Sequence, residues 1–230
     1  MTHPVPIRRV PGRRPRLLDT FCCQGGAGMG YADAGFDVTG VDIRPQPRYP
    51  FAFIQAEAVA FIRAHGAEYD FIHASPPCQH DSACQRIRGN THPDLIDPTR
   101  AALESTGRPW VMENVGGAVP KLRVPVMLCG PMFGVETYRH RYFETGGGFT
   151  FDQPRHAAHL VPQAKMGRPV PPGHYGQFVG NFSGVDLARR VLGVPWMNRD
   201  GIRECIPPAY THHIGRLAIT QLAPALEVAA

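Results

Sequence analysis

No run of about 18 consecutive apolar residues occurs in this 230-residue chain, which argues against a membrane-spanning helix. Arginines crowd the first residues (Arg8, Arg9, Arg13, Arg14, Arg16), but no apolar stretch follows them as a secretory signal requires. A cytoplasmic protein is expected. The cysteines Cys22, Cys23, Cys78, Cys84, Cys129 and Cys205 include no C-x-x-C pair and no disulfide-like rhythm, so a reducing compartment is expected. Cys78, His80 and Cys84 lie close together, yet no second pair at ligand spacing completes a zinc site, and no metal is expected. No Gly-Lys-Ser/Thr follows the glycine-rich segment, which argues against a phosphate-cradling P-loop. No internal repeat is present.

What the chain does have is length for one domain with a sizeable core, and a basic balance. The formal net charge is +5 and the sequence pI about 9.0. This is compatible with a polyanionic partner. Much of the excess sits in residues 1–15, a Pro- and Arg-rich arm expected to be mobile. Such an arm is either a solvated tail or a neutraliser of phosphates.

From Leu17 onward strand and helix patterns alternate. Leu17–Cys22, Phe36–Asp42, Tyr69–Ala74 and Trp110–Val115 read as strands. Residues 56–65 and Pro93–Ser105 read as helices. This order predicts an α/β, Rossmann-like, doubly wound and mostly parallel sheet. Short strands are expected at Val126–Cys129 and Arg141–Glu144. Residues 146–184 are rich in Pro, Gly and His, and read as a long irregular lobe. Helices are expected at Asp186–Leu192 and Tyr210–Leu222.

The richest segment is Ser75-Pro76-Pro77-Cys78-Gln79, directly after the Tyr69–Ala74 strand. Proline has no N–H and a fixed φ, so the strand must end in a stiff turn. Ligands of open α/β sheets bind beyond the carboxyl ends of the strands. A thiol on that turn, Cys78, is placed as a nucleophile. Glu113-Asn114-Val115 closes another strand and brings a carboxyl to the same edge. A thiol paired with an acid suits addition to an electron-poor ring, with the acid protonating a ring nitrogen. Alternation puts Arg139 and Arg141 on one face, and a guanidinium fork can hold a base oxygen or a phosphate. Gln24–Gly30 is a glycine-rich strand-to-helix loop. Asp42, about twenty residues on, can accept hydrogen bonds from ribose hydroxyls. Dinucleotide and S-adenosylmethionine sites share this layout, so spacing does not choose between them.

In this order the motifs resemble those of the C5-cytosine DNA methyltransferase family, from residue 17 to about 220. Asp19-Thr20-Phe21-Cys22 with Gly25 and Gly26 is similar to the family's first motif, which implies contacts to S-adenosylmethionine. Asp42 is similar to its ribose-binding acid, Ile43 to the adenine-packing residue, and Glu57 to the acid that meets the adenine amino group. Pro76-Pro77-Cys78-Gln79 resembles the nucleophile motif, with Ser82 at its later serine. Glu113-Asn114-Val115 resembles the acid motif, Arg139-His140-Arg141 the arginine motif, and Ile206–Tyr210 the last motif. The chain departs from the pattern at Thr137, at Arg203-Glu204-Cys205, and in a very short recognition region. Compact members of this kind are often phage-associated.

The resemblance implies methyl transfer from S-adenosylmethionine to C5 of cytosine in DNA. Cys78, Glu113, Arg139 and Arg141 would be catalytic. Asp19, Phe21, Cys22, Gly25, Gly26, Asp42, Ile43, Glu57 and Pro76 would hold the cofactor. The implied division is a basic arm (1–15), a catalytic and cofactor-binding domain (16–145), a target-recognition region (146–184) and C-terminal helices packing back (185–230). A monomer acting on flipped-out bases is expected, with Arg86 and Arg88 on a loop, Gln79–His92, that closes over the base. Two other functions remain open: the same chemistry on RNA or a free cytosine nucleotide, and a catalytically silent DNA-binding protein.

Overall fold

The computed structural model describes residues 13–77 and 94–222. Its strands are β1 (Arg16–Thr20), β2 (Asp37–Asp42), β3 (Ala52–Gln55), β4 (Phe71–Ala74), β5 (Trp110–Asn114), β6 (Val126–Leu128) and β7 (Arg141–Gly146). They form one seven-stranded sheet in the order β3-β2-β1-β4-β5-β7-β6. β1 to β5 pair in parallel, while β7 is antiparallel to both β5 and β6. The chain winds outward from β1 through β2 to β3, then returns to β4 on the other side. This makes a switch point at the carboxyl ends of β1 and β4, where open α/β sheets take ligands.

The layers follow from the pleat, which sends successive side chains to opposite faces. Leu17 of β1, Phe71 of β4 and Val111 of β5 join one core with Tyr31, Ile214 and Ala218. Their neighbours Leu18, Ile72 and Met112 join the other, with Val59, Ile62, Ala102 and Leu103. The first core lies under α1 (Gly26–Ala34) and α6 (Pro208–Leu222), the second under α2 (Ala58–His65) and α3 (Ile96–Ser105). Strands buried on both faces read as continuous apolar runs, which is why β1, β4 and β5 are conspicuous in the sequence.

α1 and α6 pack closely because Gly30 has no side chain. A Cβ there would lie 2.0 Å from the Pro208 carbonyl oxygen and 2.2 Å from Thr211 Oγ1. α2 starts two residues later than expected, because Glu57 is its N-cap and accepts from the N–H groups of Val59 and Ala60. Two short elements were not anticipated. β3 is a largely exposed edge strand after a Pro-rich stretch. α5 (Arg199–Glu204) is a single polar turn-and-a-half capped by Asn198. α4 (Val185–Leu192) is found close to the expected helix. Residues 147–184 contain no helix or ladder strand, only an isolated bridge between Gln163 and Tyr175. Arm residues 1–12, the Gln79–His92 loop and the start of the Pro93 helix lie outside the described residues. Among the described residues no helix is long and apolar enough to cross a membrane.

Candidate active site

β1 ends at Thr20, and the chain then reverses sharply. Phe21 has φ 57° and Cys23 φ 46°, left-handed values that a bulky aromatic rarely adopts. The reversal folds Cys22–Gln24 over the strand end, and α1 begins after Gly25, itself left-handed at φ 82°. The Cys23 N–H donates to Asp42 Oδ2 at 3.0 Å, tying the loop to the end of β2. Asp42 Oδ1 accepts from the Arg44 N–H, and Ile43 between them is 64% exposed.

The opposite wall comes from far along the chain. Gln24 Nε2 donates to Asn198 Oδ1 at 2.8 Å, while Gln24 Oε1 accepts from the Asn198 N–H at 3.1 Å. Trp196 Nε1 donates to the Gln24 carbonyl at 2.7 Å. A cleft results, lined by Asp19, Phe21, Cys22, Gly26 and Ser75 on one side and Met197, Glu204, Cys205 and Ile206 on the other. Gln24 thus clasps the two walls together. The sequence marked it only as the first residue of a glycine-rich loop.

Asp19 lines this cleft, is buried, and accepts a hydrogen bond from the Tyr49 hydroxyl at 3.0 Å. Burial pushes its carboxyl up to about 8, against the pull of the Tyr49 and Gly28 hydrogen bonds. Glu57 is exposed and turned to its own helix, where both oxygens cap α2.

The second half of the site lies where β4 and β5 end side by side. Glu113 is buried at the end of β5, with Arg141 Nε 2.8 Å from its Oε1. Burial raises the Glu113 carboxyl above the ordinary range, while Arg141, Arg139 and a hydrogen bond from Ser75 pull it down. Behind Ser75 a buried polar line continues. Ser75 Oγ is 2.8 Å from His73 Nε2, and His73 Nδ1 is 3.0 Å from the Tyr31 hydroxyl. Burial holds His73 neutral, with its pKa lowered to about 3. Next to Glu113, Asn114 Nδ2 donates to the Pro76 carbonyl at 3.1 Å. This clamps the proline turn that leads into Cys78. Cys78 and Ser82 lie outside the described residues.

Arg139 differs from expectation. It is buried, and its guanidinium donates to the Phe178 carbonyl at 2.8 Å and the Arg203 carbonyl at 2.5 Å. It therefore ties segment 146–184 and α5 to the sheet, and its bonded nitrogens are not offered to a phosphate. Burial and the neighbouring Arg141 charge lower its pKa to about 10. A bidentate pair, Arg100 with Glu144, joins α3 to β7 through contacts of 2.6 and 2.9 Å.

Solved structures with the same architecture are methyltransferases. One, assigned as a DNA modification methyltransferase encoded within an E. coli prophage, superposes with a TM-score of 0.61 at 14% identity, covering 91% of this chain and 99% of its own. Entamoeba histolytica EhMeth gives a TM-score of 0.54 at 10% identity, covering 91% of this chain and 99% of its own. S. pombe Dnmt2 gives 0.53 at 11% identity, covering 90% of this chain and 99% of its own. The fold is that of the methyltransferases. No protein-family model and no curated protein matches the sequence. At such low identity the likeness carries the methyltransferase fold alone, since one fold hosts many chemistries.

Proposed function

We propose that this methyltransferase-fold protein methylates C5 of cytosine in DNA, using S-adenosylmethionine and a covalent bond from Cys78. The observation that carries the reading is the Glu113–Arg141 contact of 2.8 Å at the strand end beside the Pro76-Pro77 turn. An acid whose pKa is raised by burial, next to a fixed guanidinium, suits the N3 and O2 edge of a flipped cytosine.

The cleft residues fit the cofactor. Asp19 is a buried carboxyl whose described partners, the Tyr49 hydroxyl and the Gly28 backbone, are not cationic. It suits the ammonium group of a sulfonium amino acid. Ile43 is an exposed apolar side chain beside the oriented Asp42 carboxylate, which suits an adenine face next to its ribose. When bound, S-adenosylmethionine supplies an electrophilic methyl group.

The chain's own residues do the rest. The Cys78 thiolate adds to C6 of the ring, and Glu113 protonates N3. Electron density then builds at C5, which is a poor nucleophile in free cytosine. Arg141 holds Glu113 and the ring edge in place. Once C5 carries the methyl group, loss of the C5 proton to a base expels Cys78 from C6 as the thiolate, and N3 returns its proton to Glu113. Because Cys78 spells a thiol where amino-methylating relatives of the fold use an aromatic residue, ring-carbon attack is favoured over attack by an exocyclic amine.

The test is an assay with methyl-labelled cofactor on duplex DNA, RNA and dCMP, followed by nucleoside analysis. Label in 5-methylcytosine from DNA supports the reading. Label confined to RNA or dCMP, label on the exocyclic nitrogen, or no incorporation overturns it.

A further inference from the structure

Four side chains of ligand type converge at the junction between the sheet edge and segment 146–184. Cys129 follows β6, His140 precedes β7, and His156 and His159 stand in the irregular segment. One ligand atom from each falls within 4.8 Å of all the others. Cys129 Sγ is 3.5 Å from His159 Nε2, and His156 Nε2 is 2.9 Å from His159 Nε2.

We infer that Cys129, His140, His156 and His159 form a closed Cys-His3 site for one zinc ion. Tetrahedral zinc binds imidazole at about 2.0–2.1 Å and thiolate at about 2.3 Å, which places its nitrogens about 3.3 Å apart and nitrogen from sulfur about 3.5 Å. The Cys129–His159 separation of 3.5 Å matches the nitrogen–sulfur value, His156 and His159 at 2.9 Å stand slightly inside the nitrogen–nitrogen value, and the whole set falls within 4.8 Å. The donor set is nitrogen and sulfur with no carboxylate, which suits zinc over magnesium or calcium. Four protein ligands leave no open position, so the role is structural.

Two further observations point to a bound cation. Among the described residues, His140 Nε2 is buried without a hydrogen-bond partner, although buried polar atoms are normally satisfied. The rings are also held in place by their surroundings. His159 stacks on Tyr138 at 3.7 Å and 14°, and Tyr138 in turn donates its hydroxyl to the Val161 carbonyl and accepts from the Val161 N–H, both at 2.9 Å. Outer partners of this kind fix the orientation of metal-ligating imidazoles. On binding, the Cys129 thiol gives up its proton to solvent and the sulfur takes the metal bond.

The ion would do for this segment what secondary structure does elsewhere. Residues 147–184 have no helix or ladder strand of their own, and small irregular lobes commonly need a metal or disulfide staple. His140 also stands between Arg139 and Arg141, so the same ion would fix the stretch that places both arginines. This departs from the sequence-based expectation of no metal, which considered only ligands close together in the chain. It is independent of the proposed methylation chemistry.

The experiment uses tag-free full-length protein. Elemental analysis should find one zinc per chain. Stripping with a chelator and refilling with Co2+ should give tetrahedral d–d bands and a thiolate-to-cobalt charge-transfer band. Cys129→Ser should abolish the charge-transfer band while Cys78→Ser keeps it. If Cys129→Ser is insoluble, His159→Ala at an exposed ligand is the substitute, and should lower zinc affinity at least tenfold. Absence of stoichiometric zinc together with no charge-transfer band after Co2+ addition overturns the site. So does a band that survives Cys129→Ser, or unchanged zinc affinity in His159→Ala.

Discussion

Asn114 donates its side-chain amide to the carbonyl of Pro76 at 3.1 Å, so the strand that ends in Glu113-Asn114 also holds the turn that leads to Cys78. The acid and the nucleophile loop are therefore registered by one hydrogen bond. Asn114→Ala should lower kcat by about 10–100-fold, since small displacements of reacting groups are costly. Cofactor affinity should fall much less than kcat, because Asn114 sits on β5, two strands from β1, and touches the cleft only through the Pro76 turn. Steady-state kinetics with cofactor titration checks this, and a loss seen only in cofactor KM would contradict it.

Cys78→Ser should abolish turnover and leave cofactor binding nearly intact. A hydroxyl is far less ionised than a thiol near neutral pH. Wild-type protein with S-adenosylmethionine and DNA carrying 5-fluorocytosine should give a denaturant-resistant adduct, since fluorine cannot leave as a cation. Mass spectrometry should map the adduct to Cys78. An adduct on Cys22 or Cys84 would refute the assignment.

The raised Glu113 carboxyl sets a pH limb. Chemistry that needs its proton is complete below the raised pKa and is lost as pH climbs through it. The Cys78 thiolate imposes the opposite limb, so kcat/KM should be bell-shaped. Glu113→Gln should remove the alkaline limb and cut kcat by about 10²–10⁴-fold. Ser75→Ala deletes a hydrogen bond that lowers the Glu113 pKa, so it should move the alkaline limb upward. A downward movement would show that Ser75 does not act on the ionised carboxyl.

Asp19 links stability to pH. Its carboxyl releases its proton near 3.8 when free and near 8 in the fold. The folded state thus binds more protons between those values, and stability falls as pH rises through that window. Asp19→Asn should abolish this slope and raise Tm at pH 8 relative to wild type. The same change should weaken cofactor binding, because a carboxyl can ionise beside an arriving ammonium group and an amide cannot. Calorimetry across pH with and without S-adenosylmethionine measures both. A variant less stable than wild type at pH 8 would contradict the linkage.

Sequence recognition should be loose. Residues 147–184 offer an irregular surface, and each bidentate base contact yields about 1–3 kcal/mol of discrimination. His156 and His159 face one another rather than solvent phosphates. Lys165 and Arg168 remain exposed there and suit backbone contacts. Bisulfite sequencing of DNA methylated in vitro should show a preference spanning about one to three base pairs, with binding that weakens steeply with salt. A strict longer site would transfer specificity to the Gln79–His92 loop or a partner.

The doubly buried strands were legible because burial on both faces makes them continuous apolar runs, as in Phe71-Ile72-His73-Ala74. The edge strand Ala52–Gln55 was not, because partial exposure removes that signal. The resemblance placed Glu113 and Arg141 in one catalytic set without pairing them, and the two side chains meet. Arg139 looked equivalent to Arg141 by alternation, but alternation says nothing about the carbonyls of Phe178 and Arg203 that capture it. The Tyr31–His73–Ser75 line was invisible, because a histidine within an apolar run gives no hint of its partners. Gln24 and the Cys129–His159 cluster join residues distant in sequence, where local spacing is silent.

The Gln24–Asn198 clasp has a consequence for synthesis. One wall of the cleft is made by residues 19–26 and the other by residues 197–206. On the ribosome the first wall emerges long before the second. Loop-closure entropy must be met before the distant contact rewards it. A nascent chain can therefore pair β1 with β2 early, yet it has no finished cleft until α5 is out and α6 has docked on α1. Ligand-assisted folding is thus confined to the last stage of synthesis, and a nick anywhere in the intervening chain leaves the two halves of one pocket on separate fragments.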